Sequence, residues 1–266
     1  MQSSAQIEAA VRDLSPWHFV IEVAPGIRTV DFNRKAYKDK DLNNVGMIDP
    51  EEMRPLLQHI LPGGVHGKSF LDVGCNGGGY CFIAHELGAE VCYGFDVRDH
   101  WIRQATFVKS VKYPTAETVR FAVADVQAIT LDRKFDVTLF KGVLYHLPDP
   151  LHMLIKLCGV TSRAIIVDTV SRNDIPLNCI VPDAEPKTQV MSGVDGLCWY
   201  PGGPEALQPL LAWCGFPHVR VVYRQVGAKS GIHRGRFRIL AARELDDLSP
   251  YDAWRRAQPK SPNPMA

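Results

Sequence analysis

SFLDVGCNGGGYCFIAHELGAEVCYGFDV, residues 69–97, is the stretch from which the rest of the chain is read. It opens with an apolar run, Phe70-Leu71-Asp72-Val73, and breaks into Gly74-Cys75-Asn76-Gly77-Gly78-Gly79. A helical pattern follows, with apolar residues at Cys81, Phe82, Ile83, Ala84 and Leu87, closed by Gly88. A second apolar run, Val91 to Phe95, ends on Asp96. Strand, glycine turn, helix, strand and acid form the first unit of a nucleotide-binding α/β sheet. Glycine allows positive φ and close approach of a ligand to the backbone. The helix start offers N–H groups with no partner inside the helix. An acid at the tip of the second strand can accept hydrogen bonds from both ribose hydroxyls. Asp96 follows Gly74 by 22 residues, against about 20 for that ribose contact.

A dinucleotide site asks for G-x-G-x-x-G, and here the second glycine is Asn76. A side chain at the point of closest approach to a pyrophosphate argues against NAD or FAD. An adenosine ligand without phosphates tolerates it. The stretch resembles motif I of the class I S-adenosylmethionine (SAM) methyltransferases, in which an acid near Asp72 precedes the turn. That resemblance implies a Rossmann-like fold and SAM as cofactor. It assigns the first cofactor contacts to Asp72, Gly74, Cys75, Asn76, Gly77, Asp96 and Val97.

Composition agrees with a domain of that size. The chain has 266 residues, 46% hydrophobic and 22% charged, which suffices for one large α/β domain. A net charge of +1 gives no global field for nucleic acid. No apolar run approaches the ~18 residues of a membrane helix. The first fifteen residues lack a basic region followed by an apolar core, so no signal peptide is expected. Seven cysteines, at 75, 81, 92, 158, 179, 198 and 214, form no C-x-x-C pair. They point to a reducing cytoplasm and to no zinc site.

Outward from the central stretch, Gln6–Leu14 has a helical pattern halted by Ser15-Pro16. Trp17–Ile21 and Gly26–Val30 are short apolar runs about a Pro25-Gly26 turn, and a helix is expected from Asp49 to Leu61. Residues 1–66 thus read as an arm, either a lid over the cofactor site or packing on the sheet edge. Downstream, the pattern gives a helix from Asp99 to Lys112, a strand Val119–Asp125, a strand Phe135–Phe140, a helix Leu151–Cys158 and a strand Ala164–Asp168. Ser171–Pro201 has many turn residues and no clear period, a length uncommon unless it covers a site or holds unrecognised structure. A helix Pro204–Cys214, a strand Val219–Tyr223, a hairpin region Gly227–Gly235 and a strand Arg236–Ala242 complete the pattern. The alternation predicts a doubly wound, mostly parallel sheet in a methyltransferase domain over 67–248, with a frayed tail over 249–266.

Asp125 with Val126 stands where a class I enzyme holds adenine, the carboxylate on the exocyclic amine and a backbone N–H on a ring nitrogen. Four blocks narrow the resemblance further: Trp17…Ala24-Pro25-Gly26-Ile27-Arg28-Thr29, Leu71–Asn76, Gly142-Val143-Leu144-Tyr145-His146-Leu147 and Trp213-Cys214-Gly215-Phe216. They are similar to methyltransferases related to the bacterial tRNA wobble-uridine carboxymethyltransferase, over about residues 15–243. Tyr145 and Arg236 match that family's donor-pocket positions. The lysine block and tryptophan-rich segment that hold a carboxy-SAM carboxylate in the tRNA enzyme have no counterpart here. The expected donor is therefore SAM and the expected acceptor a small molecule, with tRNA as runner-up and a non-catalytic SAM-binding partner protein as a further alternative. Lys141, apolar in relatives, joins the cofactor-binding set, and reads either as a contact to an acidic acceptor or as a solvated strand-end lysine.

SAM carries its own leaving group, so the protein must align donor and acceptor and exclude water. A hydroxyl acceptor benefits from a base. His146, beside Tyr145 after the fourth strand, is the best-placed candidate, with loop ordering as its other reading; His18 and His233 are weaker candidates. The fourth strand ends Phe140-Lys141-Gly142, without the N/D-P-P-Y/F motif of amino-nitrogen methylation, a Pro-Cys pair or a magnesium-binding acid. Metal-independent transfer to oxygen is the expected chemistry.

Overall fold

Helix α1 (Ser4–Asp13) opens on a capping box: the Ser3 hydroxyl accepts from Gln6 N–H, and Gln6 Oε1 accepts from Ser3 N–H. Ile7 and Val11 are buried beneath it. The computed structural model describes residues 2–33, 47–185, 191–226 and 234–259. Beyond α1, the two apolar runs flank the expected turn. Pairing is confined to β1 (Glu22–Ala24) and β2 (Ile27–Arg28), around Gly26 at φ +74°. Trp17 and Phe19 are spent instead on the core, at 0% and 3% exposure, and Phe19 bridges to Ile48. The helix expected over 49–61 divides into a 3₁₀ turn, Pro50–Met53, and α2 (Arg54–His59).

The central unit follows as expected: β3 (Ser69–Val73), α3 (Gly79–Glu86) and β4 (Val91–Asp96). Then come α4 (Asp99–Lys112), β5 (Val119–Val123), β6 (Phe135–Lys141), α5 (Pro150–Gly159) and β7 (Thr161–Arg172). The patternless segment holds a hairpin, β8 (Ile180–Ala184) with β9 (Leu197–Pro201). It is followed by α6 (Gln208–Trp213), β10 (His218–Gln225) and β11 (Arg234–Ala242). The expected hairpin region between the last two falls, over 227–233 and with His233, outside the described residues.

The main sheet has seven strands in the order β10-β11-β7-β6-β3-β4-β5. β5, β4, β3, β6 and β7 pair in parallel, and β11 lies antiparallel between β7 and β10. Both faces are covered, as continuous apolar strands demand. Phe70, Ile166 and Leu240 belong to one hydrophobic cluster, and Leu71, Ile165 and Ile239 to the other. Alternate residues along each strand thus feed opposite layers. Successive connections leave β3 toward β4 on one side and reach β6 on the other. The crevice at the carboxyl ends of β3 and β6 is where such sheets bind ligands.

The expectation of a frayed tail is corrected over Ser249–Ala257, which forms helix α7. Pro250 stands in its first turn, where its missing N–H costs nothing. Tyr251 is buried, Trp254 stacks on His59 at 5.3 Å, and Asp252 pairs with Arg220 at 2.8 Å. Two aromatics one helical turn apart and this ion pair hold it to the body. Among the described residues, no helix is long and apolar enough to cross a membrane.

Candidate active site

A cavity of about 420 Å³ opens at the carboxyl ends of β3, β4 and β6. Its walls include Gly74, Asn76, Asp96, Val97, Asp125, Val126, Lys141, Tyr145, His146 and Arg236. Nine of the twelve expected site residues, with Arg236, therefore meet in one space of a size suited to a small ligand.

The glycine turn shapes one end. The N–H groups of Gly74 and Cys75 both donate to Phe95 O, at 2.9 Å each, stitching the turn to β4. Gly74 sits at φ +72°, and a Cβ there would overlap Val143 Cγ2. Asn76 also has positive φ, +50°, unusual without glycine. Its N–H donates to Asp96 Oδ2 at 3.1 Å and its Oδ1 accepts from Gly77 N–H at 2.6 Å. Asparagine thus holds the turn with its own side chain. Cys75 and Gly77 lie outside the cavity lining: Cys75 is 1% exposed, and the Gly77 N–H is taken by Asn76.

Asp96 is 8% exposed, and its second oxygen accepts from Arg98 N–H at 3.0 Å. Burial pushes its carboxyl up, partly offset by the N–H bonds from Arg98 and Asn76. Asp72 lies below the lining, 2% exposed, with Oδ2 lacking a hydrogen-bond partner among the described residues. Burial, reinforced by Asp96, pushes its carboxyl up to about 8. A buried carboxyl with an unmatched oxygen under the glycine turn fits a cationic ligand overhead better than an anionic one. Asp125 stands two residues beyond β5 rather than inside it, and accepts from Gln127 N–H at 2.9 Å. The backbone carbonyls of Val126 and Gln127 are held by Lys156, at 2.9 and 3.3 Å.

Another part of the wall is charged. Lys141 closes β6 with a side chain only 8% exposed, so it is not a solvated strand-end lysine. Glu52 stands 3.5 Å from its ammonium. Burial pushes Lys141 down, opposed by Asp168 and Glu52 and assisted by Arg236 and Arg238. Asp168, fully buried, accepts from Arg236 Nε at 2.5 Å, Arg238 Nε at 2.7 Å and the Tyr223 hydroxyl at 2.8 Å. Burial alone would raise that carboxyl, but Arg236, Arg238 and Lys141 together hold it below the usual range. Tyr145 is a neutral phenol, raised by burial against the pull of Arg236.

His146 stands in a 3₁₀ turn, Leu144–His146, just past β6. Its ring centroid is 4.0 Å from that of Tyr145. Its Nδ1 lies 2.8 Å from Glu185 Oε2, which also accepts from Gly193 N–H at 2.8 Å. Cys198 completes a group of three metal-ligand types within 4.8 Å. Zinc bonds of about 2.0–2.1 Å at tetrahedral angles would hold ligand atoms about 3.4 Å apart. The 2.8 Å separation is that of a hydrogen bond.

Sequence patterns missed Glu185 and the segment Met191–Asp195, which also borders the cavity. Arg98 donates to Ser192 O, and Gln127 Nε2 donates to Asp195 Oδ2 at 3.1 Å. Such ties between distant residues leave no local period to read. From the first quarter, His18, Phe19, Met47 and Ile48 reach the same wall.

Comparison with known proteins agrees with this geometry. Residues 65–193 match a family described as a methyltransferase domain. The tRNA U34 carboxymethyltransferase of Nautilia profundicola is 35% identical over 109 residues, covering 40% of this chain and 35% of that protein. The enzyme of the same name from Campylobacter jejuni is 25% identical over 229 residues, covering 83% of this chain and 68% of its own length. Against three of the curated relatives, the chain spans 35%, 50% and 55% of their length. The N-terminal domain of EvdMO1, crystallised with SAH bound, superposes with a TM-score of 0.72 at 19% identity, covering 91% of this chain and 98% of that one. The magnesium protoporphyrin IX methyltransferase of Synechocystis PCC 6803, with bound SAM, gives 0.51 at 18% identity, covering 73% and 78%. With its glycine turn, its strand-tip acid and its sheet order all in place, the chain has the Rossmann-like fold of the class I SAM-dependent methyltransferases, and its residues 65–193 match a methyltransferase domain family.

Proposed function

We propose that this protein transfers the methyl group of SAM to an oxygen of a small-molecule acceptor, with no metal in the transfer. The observation that carries the reading is that one cavity is lined by Asn76, Asp96 and Asp125 together with Tyr145 and His146. Asp96 takes the ribose hydroxyls and Asp125 with Val126 takes adenine. Bound SAM supplies a methyl group already activated by its sulfonium. The chain's own part is to orient the donor, exclude water and receive a proton. His146 is the group that receives it, and the Tyr145 phenol, neutral at physiological pH, donates a hydrogen bond beside it. The described residues of the first quarter serve as a cover, through His18, Phe19 and Ile48. Seven free thiols, five of them buried, suit a reducing cytoplasm.

A second reading, transfer of a carboxymethyl group to tRNA, is favoured by one observation. Lys141, Tyr145 and Arg236 line the same wall and could meet a carboxylate on the transferred group. Native mass spectrometry of the purified protein, followed by calorimetric competition between SAM and carboxy-SAM, separates the two. Tighter binding of SAM is the expected outcome. Tighter binding of carboxy-SAM would put the tRNA reading first, and failure to bind either would remove both.

A further inference from the structure

We propose that Glu185 is the positioning residue for His146, holding its Nδ1–H so that Nε2 is left as the base facing the acceptor. The inference rests on the methyl-transfer reading above and deepens it. Glu185 lies 39 residues from His146 in the chain. It follows β8, on the hairpin laid beside the cavity. Both side chains are largely enclosed, at 15% and 13% exposure, so their 2.8 Å contact is weakly screened. Burial works to raise the Glu185 carboxyl, but bonds from His146 and Gly193 hold it below the usual range. It is therefore an acceptor throughout the neutral range, and an acceptor facing Nδ1 fixes the proton on that nitrogen.

Gly193 secures the arrangement. Its N–H donates to the same Glu185 oxygen, and a Cβ there would come within 2.9 Å of Glu185 Oε2, His146 Cβ and His146 O. The Met191–Asp195 strap is also tied across the cavity to Arg98 and Gln127. Glu185 is thus held from both sides.

The step balances without another reactant. The acceptor oxygen forms a bond to the methyl carbon as the carbon–sulfur bond breaks, and that electron pair returns to sulfur as the thioether of S-adenosylhomocysteine. The acceptor proton passes to His146 Nε2, and Glu185 stabilises the imidazolium that results. Loss of a general base typically costs about 10²–10⁴-fold, and Glu185→Ala should cost about 10²-fold in kcat with the KM for SAM unchanged.

The decisive experiment needs no acceptor. Histidine ¹⁵N correlation spectra of the full chain with S-adenosylhomocysteine, assigned by loss of the signal in His146→Gln, report the tautomer directly. The expected result is an Nδ1–H tautomer in wild type, lost in Glu185→Ala with affinity for S-adenosylhomocysteine held within twofold. Gly193→Ala keeps both side chains but drives a methyl group between them, and should lose the same tautomer if Glu185→Ala does not fold. An Nε2–H tautomer in wild type, or an unchanged tautomer in a folded variant, would overturn the proposal. So would micromolar zinc binding that removes the Nδ1–H signal, which would make the three side chains ligands. Failure of S-adenosylhomocysteine to bind would count against the methyl-transfer reading alone, because the tautomer is read independently.

Discussion

Replacing Asp96 by alanine tests the cofactor end of the site. Two charge-assisted hydrogen bonds to ribose are worth about 1.5–3 kcal/mol each. The lower value applies, because both Asp96 oxygens already accept backbone N–H groups, from Asn76 at 3.1 Å and Arg98 at 3.0 Å. The direct loss is then about 3 kcal/mol, roughly a hundredfold in affinity. A second contribution comes from the turn. Asn76 at φ +50° is held there partly by its bond to Asp96, and a left-handed non-glycine residue costs about 1–2 kcal/mol. Released, it moves toward ordinary backbone angles and takes the glycine turn with it, so the total approaches a thousandfold. Asn76→Gly separates the two contributions: it removes the strain, keeps the carboxylate and should weaken binding far less than Asp96→Ala. Isothermal titration with S-adenosylhomocysteine, after circular dichroism has shown the variant folded, measures both. A folded Asp96→Ala that binds within threefold of wild type would falsify the ribose assignment.

Other outcomes follow from the same contacts. Asp72, with its carboxyl at about 8 in the folded chain, keeps a proton that the unfolded chain releases near pH 4. Wild-type stability should therefore fall as pH rises from 4 to 8, and Asp72→Asn should flatten that fall; parallel melting curves for the two proteins would refute it. Gly74→Ala places a methyl group into Val143 at φ +72°, and should cost about 2–4 kcal/mol. Val143→Ala should restore only part of this in urea denaturation, because the backbone strain remains. Truncation after Leu248 removes Tyr251, Trp254 and Asp252 from the body. It should lower Tm by several degrees, at about 2–4 °C per kcal/mol, and leave S-adenosylhomocysteine affinity within twofold. Lys141→Met should leave affinity for SAM within threefold and reduce affinity for carboxy-SAM further, in direct competition calorimetry. Equal losses for both would place Lys141 on the common part of the donor.

Residues 69–97 determined the nucleotide-binding unit by themselves, since strand, turn and helix each write a local period or a backbone requirement into neighbouring residues. The acids Asp96 and Asp125, after successive strands, were legible as neighbours on one cavity wall in the same way, because a parallel sheet brings consecutive strand tips to one edge. Tertiary structure decided the rest. Glu185 meets His146 only because the β8–β9 hairpin folds back beside β7 and the turn after β6. Nothing in the spacing of 39 residues favours that contact. Lys141 could be read from the sequence as a solvated strand-end lysine, and only the fold closes Glu52, Asp168 and the β11 arginines around it. α7 looked like loose chain because its hold lies in a few contacts to α2 and β10. Local patterning fixes which residues form an element and which way its faces point. Charge pairing and burial depend on what lies across a gap in space, and a sequence records that only after the chain has folded.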